Sequence, residues 1–164
     1  MSGKAYDHPV AKRSLGITQW HELGLQGDRI PVTITLEGDS MRPLIRRGRD
    51  HVTIVPIDRA VRKGDVVLFC GGPGRFVVHR VCKINGDRVQ TLGDNCMAPD
   101  AWMPMEAVWG IVVKMERDGR RYRMDSRAAR AFGLIWMRLY PARRAYLRCR
   151  RLAARVYRKV RPKK

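Results

Sequence analysis

Residues 75–92 read Arg75-Phe76-Val77-Val78-His79-Arg80-Val81-Cys82-Lys83-Ile84-Asn85-Gly86-Asp87-Arg88-Val89-Gln90-Thr91-Leu92, and their reading decides the fold class. An apolar run rich in β-branched residues ends at Ile84 and another starts at Arg88. Between them Asn85-Gly86-Asp87 supplies residues that tolerate positive φ. The spacing predicts a β-hairpin with strands over 75–84 and 88–92. Alternation puts Val77, His79 and Val81 on one face and Val78, Arg80 and Cys82 on the other. Working outward, short apolar runs punctuated by Gly, Pro and Asp predict further strands over 30–36, 50–56, 65–70, 107–115 and 120–124, with Asp118-Gly119 as a second hairpin turn. No helical pattern separates these strands. That disfavours a parallel βαβ architecture and makes the expected class mostly β. Gly71-Gly72-Pro73-Gly74 has no following Lys-Ser/Thr and no helix, so it reads as a hairpin loop rather than a phosphate cradle.

The chain has 164 residues, of which 45% are hydrophobic, enough for one ordinary domain plus an appendage. Cys70, Cys82, Cys96 and Cys149 are too few and too irregularly spaced for a disulfide scaffold. No CxxC pair starts a zinc site, so reduced thiols and no metal or cofactor are expected. No run of about 18 apolar residues occurs, which predicts no membrane span. Lys4, Asp7, Lys12, Arg13, Glu22, Asp28 and Arg29 leave no apolar core for a secretory signal in residues 1–30, so a cytoplasmic location is expected.

The net charge of +19 is unevenly spread. Residues 1–116 carry 16 basic and 13 acidic side chains, whereas residues 117–164 carry 18 basic and 2 acidic. The basic character is therefore a C-terminal property, and the organisation expected is an N-terminal segment over 1–29, a β domain over 30–125 and a basic helical tail over 126–164. Ser126 can cap a helix running to about Tyr140, where Pro141 interrupts or restarts it, and a second helix runs to about Val160. In that second helix Ala145, Cys149, Leu152, Val156 and Val160, with Tyr146, Ala153 and Tyr157 beside them, share one arc. Arg144, Arg148, Arg151, Arg155 and Arg158 share the opposite one. A basic amphipathic helix of this kind suits an anionic membrane surface. Phe132, Leu134, Ile135, Trp136, Met137, Leu139 and Tyr140 add an apolar patch that can either pack on the β domain or sit at headgroup depth. Nucleic acid is the second-ranked anionic partner, since an Arg stripe can track phosphates. The 29 residues before Ile30 are too short for a helix-turn-helix domain.

Three signals carry chemistry. Gly38-Asp39-Ser40-Met41-Arg42-Pro43 follows a predicted strand, and a nucleophilic serine needs such a turn to expose Oγ and keep its own N–H free for a developing oxyanion. His79 lies inside an apolar strand, with an ordinary pKa near neutrality that lets it take a proton from a hydroxyl. Gly93-Asp94-Asn95, with Asp100 six residues after Asp94, offers carboxylates to orient the imidazole. Taken alone, each signal also fits a plain turn or a hydrogen-bonded structural histidine.

The order Ser-Met-x-Pro, then Lys63-Gly64-Asp65-Val66-Val67-Leu68-Phe69, then His79-Arg80-Val81, then Gly93-Asp94-Asn95 resembles the signal peptidase I clan of serine endopeptidases. Within it the chain is most similar to the Ser-His branch of archaeal, sporulation-related and endoplasmic reticulum signal peptidases, over roughly residues 30–115. The branch that uses a lysine base has that lysine where His79 stands. The resemblance implies a domain of coiled antiparallel β-sheet, Ser40 as nucleophile and oxyanion donor, His79 as general base, Asp100 as the acidic residue required with it, and Asp94 as a second acidic position. Met41 and Pro43 are expected to contact the substrate, and Arg80 to be a structural ion-pair partner. It further implies removal of a leader, signal or propeptide, a protein or peptide substrate bound in extended form by strand addition near 30–36 and 75–84, and small residues before the cut. Three features depart from that pattern. Gly38 stands where some members carry an oxyanion-assisting serine, no span is present, and the loop between His79 and Gly93 is short. Peripheral attachment to the inner face of a membrane through the tail would replace the span. A catalytically idle module that binds anionic partners through the same tail is the alternative.

Overall fold

The computed structural model describes residues 16–160, with the side chains of residues 151 and 154–160 outside the description. The charged residues read against a secretory signal at positions 4–13 fall outside the described residues, and the side chains of the tail's arginine and apolar arcs at 151 and 155–160 fall outside the description. All seven predicted strands are present: β1 Val32–Thr35, β2 His51–Pro56, β3 Val66–Cys70, β4 Phe76–Asn85, β5 Arg88–Leu92, β7 Val108–Arg117 and β8 Arg120–Arg123. A two-residue β6, Met103–Pro104, precedes a single 3₁₀ turn, Met105–Ala107. The turns form where sequence allows them. Gly86 and Asp118 adopt positive φ, and the glycine-rich segment closes β3 onto β4, with Gly71 N–H donating to the Arg75 carbonyl at 2.8 Å.

Every strand pairing is antiparallel, in the order β1-β2-β7-β3-β4-β5-β6, with β8 beside β7. The sheet is curled into a half-barrel. Register shifts between Thr53 and Ile54, Leu68 and Phe69, and Val81 and Lys83 mark bulges, the irregularities that let a twisted sheet bend. Two apolar clusters result. Met41, Ile45, Ile54, Val66, Leu68 and Val78 belong to one, and Val67, Phe69, Val81, Val89 and Ile111 to the other.

Two elements extend the core beyond the expected β domain. Helix α1, Ile17–Leu25, lies in the N-terminal segment expected to precede the β domain. Its Trp20 is buried in the first cluster and donates Nε1–H to the Ile30 carbonyl at 2.6 Å, while His21 stacks on Trp109 with ring centroids 4.0 Å apart. One buried tryptophan among polar neighbours gives little periodicity, so this helix was not legible as a core element. At the other end α2, Arg127–Arg138, starts where Ser126 Oγ accepts from Ala129 N–H, and α3, Tyr140–Val160, carries Pro141 in its first turn, where no N–H is needed. These helices are attached to the β domain, not merely appended to it. Gly133 of α2 sits on Arg80, Tyr140 O–H donates to the Met97 carbonyl at 2.6 Å, and Leu147 is buried. Residues 140, 143 and 147 thus form the inward line of α3, leaving Ala145, Tyr146, Cys149 and Leu152 of the predicted apolar arc exposed.

A side chain at 133 reports on this docking by its sign. On an exposed helix interior, Gly→Ala stabilises by about 1 kcal/mol. A Cβ at Gly133 would meet Arg80 Nη1 at 2.5 Å and the Gly64 carbonyl at 3.1 Å, and Arg80 is held in place by a buried ion pair. Gly133→Ala is therefore expected to destabilise by ~1–3 kcal/mol, read as a Tm lowered by several degrees. Truncation before Ser126 should broaden or abolish the cooperative melt. A raised Tm in Gly133→Ala would mean that α2 does not pack as described.

Candidate active site

Strand β4 places two adjacent polar residues on opposite faces, and both are buried. Arg80 forms a forked ion pair with Asp94, Nε to Oδ1 at 3.0 Å and Nη2 to Oδ2 at 2.8 Å, and its Nη1 donates to the Gly64 carbonyl at 2.9 Å. Both side chains are 2% exposed. Asp94 is therefore committed to Arg80, as a structural pair. On the other face His79 Nδ1 lies 2.7 Å from Asp100 Oδ2. The same carboxylate accepts from Thr91 Oγ1 at 2.7 Å, while the Asp100 N–H donates to the Thr91 carbonyl at 2.8 Å and Gln90 Nε2 donates to the Asp100 carbonyl at 3.0 Å. Of the two sequence-predicted carboxylates, Asp100 is the one that orients the histidine.

Asp100 tips the balance of charge on the ring. Burial works against a charged imidazole, but the hydrogen bond to Asp100, the neighbouring Cys96 sulfur and the Asp100 charge outweigh it and hold His79 up to about 9. For Asp100, burial opposes ionisation, yet the bonds from His79 and Thr91 prevail and its carboxyl is held below the usual range.

The serine turn is fixed from below. Met41 and Ile45 are fully buried, and Asp50, also buried, accepts from Arg117 Nε at 2.8 Å and from the Arg46 N–H at 2.7 Å. Arg117 Nη2 additionally donates to the Leu44 carbonyl at 2.7 Å. Met41 is thus an anchor in the core rather than a surface for substrate, since a side chain with no exposed area cannot meet one, while Pro43 is exposed. From above, Asn95 latches the turn to the loop over 93–100. Its N–H donates to the Ser40 carbonyl at 2.6 Å and its Nδ2 to the Asp39 carbonyl at 3.1 Å.

Gly93 marks where these parts converge. A Cβ built on it would lie 2.9 Å from His79 Nε2, 2.9 Å from the Ser40 carbonyl and 2.6 Å from Cys96 Sγ. Only glycine leaves room for the three to approach. Ser40 is half-buried, and no hydrogen bond within the described residues engages its N–H or joins its Oγ to His79. Lys83, beyond the bulge in β4, is exposed. The structure thus assembles Ser40, His79 and Asp100 at one place and sets Asp94 aside. Sequence reasoning missed Thr91, Asn95 and Cys96. Asn95 stood inside a motif already singled out, whereas Thr91 and Cys96 gave no pattern of their own.

Scanned against protein-family models the chain matches none, and a search of curated proteins returns no match. Among the described residues no helix is long and apolar enough to cross a membrane, and no cluster of His, Cys, Asp or Glu has the makings of a metal site.

The two carboxylates should separate experimentally. Asp100→Asn is expected to move the His79 titration, followed by NMR of its ring protons, from about 9 toward its ordinary 6.5. Asp94→Asn should leave that titration in place but cost ~3–5 kcal/mol, because it removes the carboxylate charge that is paired with a buried guanidinium. The His79–Asp100 pair also gives a pH signature. A raised histidine stabilises fully below 6.5 and loses its effect as pH climbs toward 9. A lowered aspartate stabilises above 3.8 and loses its effect as pH falls. The stability difference between wild type and Asp100→Asn should peak between those two ordinary values.

Proposed function

We propose that the protein is a serine endopeptidase that removes a leader, signal or propeptide from a protein or peptide substrate. The observation that carries this reading is the 2.7 Å bond from Asp100 to His79 Nδ1, which leaves Nε2 facing the Ser40 turn across Gly93. In the proposed reaction Ser40 Oγ turns toward Nε2, gives up its proton there and attacks the scissile carbonyl carbon. The resulting oxyanion takes the free Ser40 N–H. Collapse breaks the C–N bond, and His79 returns the proton to the leaving amine. Water, deprotonated by His79 in turn, then hydrolyses the acyl-serine. Asp100 holds the ring and stabilises the imidazolium without taking a proton itself. The gap between Ser40 Oγ and His79 in the free protein is no obstacle, because catalytic hydrogen bonds often tighten only when substrate binds. The likeness in motif order to the Ser-His signal peptidases supports the same assignment and suggests an extended substrate with small residues before the cut. A catalytically idle module would have no need of an oriented histidine beside a serine with a free N–H, so the enzyme is preferred.

The tail supplies a place of work. Leu134, Ile135 and Leu139 of the α2–α3 corner and Tyr146 and Leu152 of α3 are exposed, in a region where basic residues far outnumber acidic ones. Exposed aliphatic side chains standing among arginines fit the headgroup layer of an anionic membrane, where they gain by burial in the acyl boundary. Peripheral attachment to the inner membrane face follows as the proposed location, and it would concentrate enzyme and exported substrate on one surface.

Two measurements test this. Against leader-bearing peptides, Ser40→Ala and His79→Ala should each lower kcat by at least ~10³-fold, and the wild-type rate should rise with pH toward about 9, because protonated His79 accepts nothing. Cleavage that survives Ser40→Ala overturns the mechanism. In sedimentation with phosphatidylglycerol-containing vesicles, the protein should bind at low salt and detach as salt rises, with Ile135→Asp and Leu139→Asp weakening binding. Indifference to such vesicles together with tight binding to nucleic acid would reverse the ranking of partners.

A further inference from the structure

A groove of about 630 Å³ runs between the end of α2 and strands β4 and β5, a volume in the range of small-molecule sites, ~300–1,000 Å³. It lies beside the face of β4 that carries Arg80, since α2 seats Gly133 on that guanidinium. Leu92, nearly buried, lies at its floor, and Leu134, Ile135 and Met137 of α2 form an apolar wall. Lys63, Lys83 and Arg138 also line it, all three exposed. Among the described residues, no hydrogen bond or ion pair engages these three side chains and no acidic side chain lines the groove. The groove at Leu44, Met115 and Phe132 differs, because its Arg121 and Arg123 are already paired with Glu116 and Asp125.

Three uncompensated cations above an apolar floor select a ligand that is itself divided. An anion alone would leave the floor wet, and a neutral apolar molecule would leave the charges without a partner. A peptide laid along the floor would bring backbone N–H and C=O groups that apolar side chains cannot satisfy, whereas a hydrocarbon chain brings none. Leu134 and Ile135 also stand exposed near the corner where α2 meets α3, so the groove opens on the patch proposed above to face an anionic membrane. The loop over 93–100 bounds the other side. Leu92 directly precedes Gly93, Pro99 directly precedes Asp100, and Tyr140 holds the Met97 carbonyl at 2.6 Å; all three residues line the groove.

We propose that this groove binds a single anionic phospholipid, its phosphate among Lys63, Lys83 and Arg138 and an acyl chain along Leu92, Leu134 and Met137, and that the bound lipid braces the loop that carries Asp100. A ligand that touches the residues leading into both ends of a loop, and the tyrosine that holds its middle, binds the closed loop better than an open one. Opening therefore becomes rarer as occupancy rises. The lipid thereby supports the 2.7 Å bond between Asp100 and His79 from the other side of β4. Any gain in cleavage rests on the Ser40–His79 reading above, and the choice of a membrane lipid rests on the peripheral attachment proposed with it. The groove, its charge and its place against the loop rest on neither.

The test uses the full chain and dihexanoylphosphatidylglycerol kept below its micelle concentration, so that a bilayer surface plays no part. Calorimetry should show saturable binding of one lipid per chain. Dihexanoylphosphatidylcholine, which has the same chains and no net charge, and inorganic phosphate, which has no chains, should each bind at least ~10-fold more weakly. The double variant Lys63→Glu/Lys83→Glu should lose at least ~10-fold in affinity with an unchanged Tm, since both side chains are exposed. At saturation, exchange of the Asn95 and Asp100 amide hydrogens should slow several-fold in the wild type and not in the double variant. Binding that does not saturate, that is equal for the two lipids, or that survives the double variant overturns the site, and so does an acidic leader peptide that binds there where the lipid does not. Saturation with unslowed exchange overturns the brace. If the lipid binds and slows exchange but no leader peptide is cut with or without it, the peptidase reading fails and the site stands. Binding of the monomeric lipid by a protein that ignores phosphatidylglycerol vesicles overturns the peripheral attachment, not the groove.

Discussion

The buried pair of Arg80 and Asp94 is the constraint around which this molecule is arranged. A guanidinium and a carboxylate with 2% exposure each can be tolerated only with nearly complete hydrogen bonding, and Arg80 meets that demand with three bonds to two separate segments. In doing so it ties β4 to the loop over 93–100 and to the turn at Gly64. The turn is held again by reciprocal backbone bonds, Gly64 N–H to the Val81 carbonyl at 2.9 Å and Val81 N–H to the Asp65 carbonyl at 2.8 Å. Helix α2 closes over the pair at Gly133, the one residue type that lets backbone approach the guanidinium so closely. A pair of this kind contributes more to uniqueness of structure than to net stability, since its desolvation offsets much of its attraction.

What the pair fixes is the position of its neighbour. His79 is one residue away on the opposite face of β4, and Asp100 sits at the far end of the loop whose near end Asp94 pins. The two carboxylates six residues apart therefore act on two faces of one strand, the first bonding the guanidinium and the second the imidazole. Thr91 completes the arrangement by holding the Asp100 carboxylate and backbone together. Ser40 arrives from an independent direction, on a turn whose footing is Met41, Ile45 and the Asp50–Arg117 pair. Asn95 hydrogen-bonds it to the histidine loop. Three segments distant in sequence thus meet at Gly93 with little freedom, the condition under which a proton transfer between side chains can be efficient.

The basic tail is two-faced. Tyr140 bonds the loop that carries Asp100, Arg143 stacks on Trp136 and Leu147 is buried, while Tyr146 and Leu152 are exposed. The same element therefore braces the loop over 93–100 through Tyr140.

The strands were legible because β-branched runs and turn residues act locally: residues 76–92 alternate, stop at Asn85-Gly86 and resume, and no distant contact is needed to read that. Ser40, His79 and Asp100 could also be named from sequence, not singly, since each alone fits a plain turn or a structural histidine, but because their order resembles a known arrangement. Sequence alone could not decide between Asp94 and Asp100, because which carboxylate reaches the imidazole depends on how the loop folds back over β4. Nor could it place Met41 in the core, Trp20 beneath Ile30, or Leu147 rather than Leu152 against the domain, since helical periodicity fixes which residues share a face but not which face finds a partner. Only the packing of the 93–100 loop on β4 brings the Cys96 sulfur and the His79 imidazole to one point above Gly93. Local sequence determined the elements and the reactive side chains. Tertiary structure decided which of them meet, because burial and charge pairing act between segments that the chain itself keeps far apart.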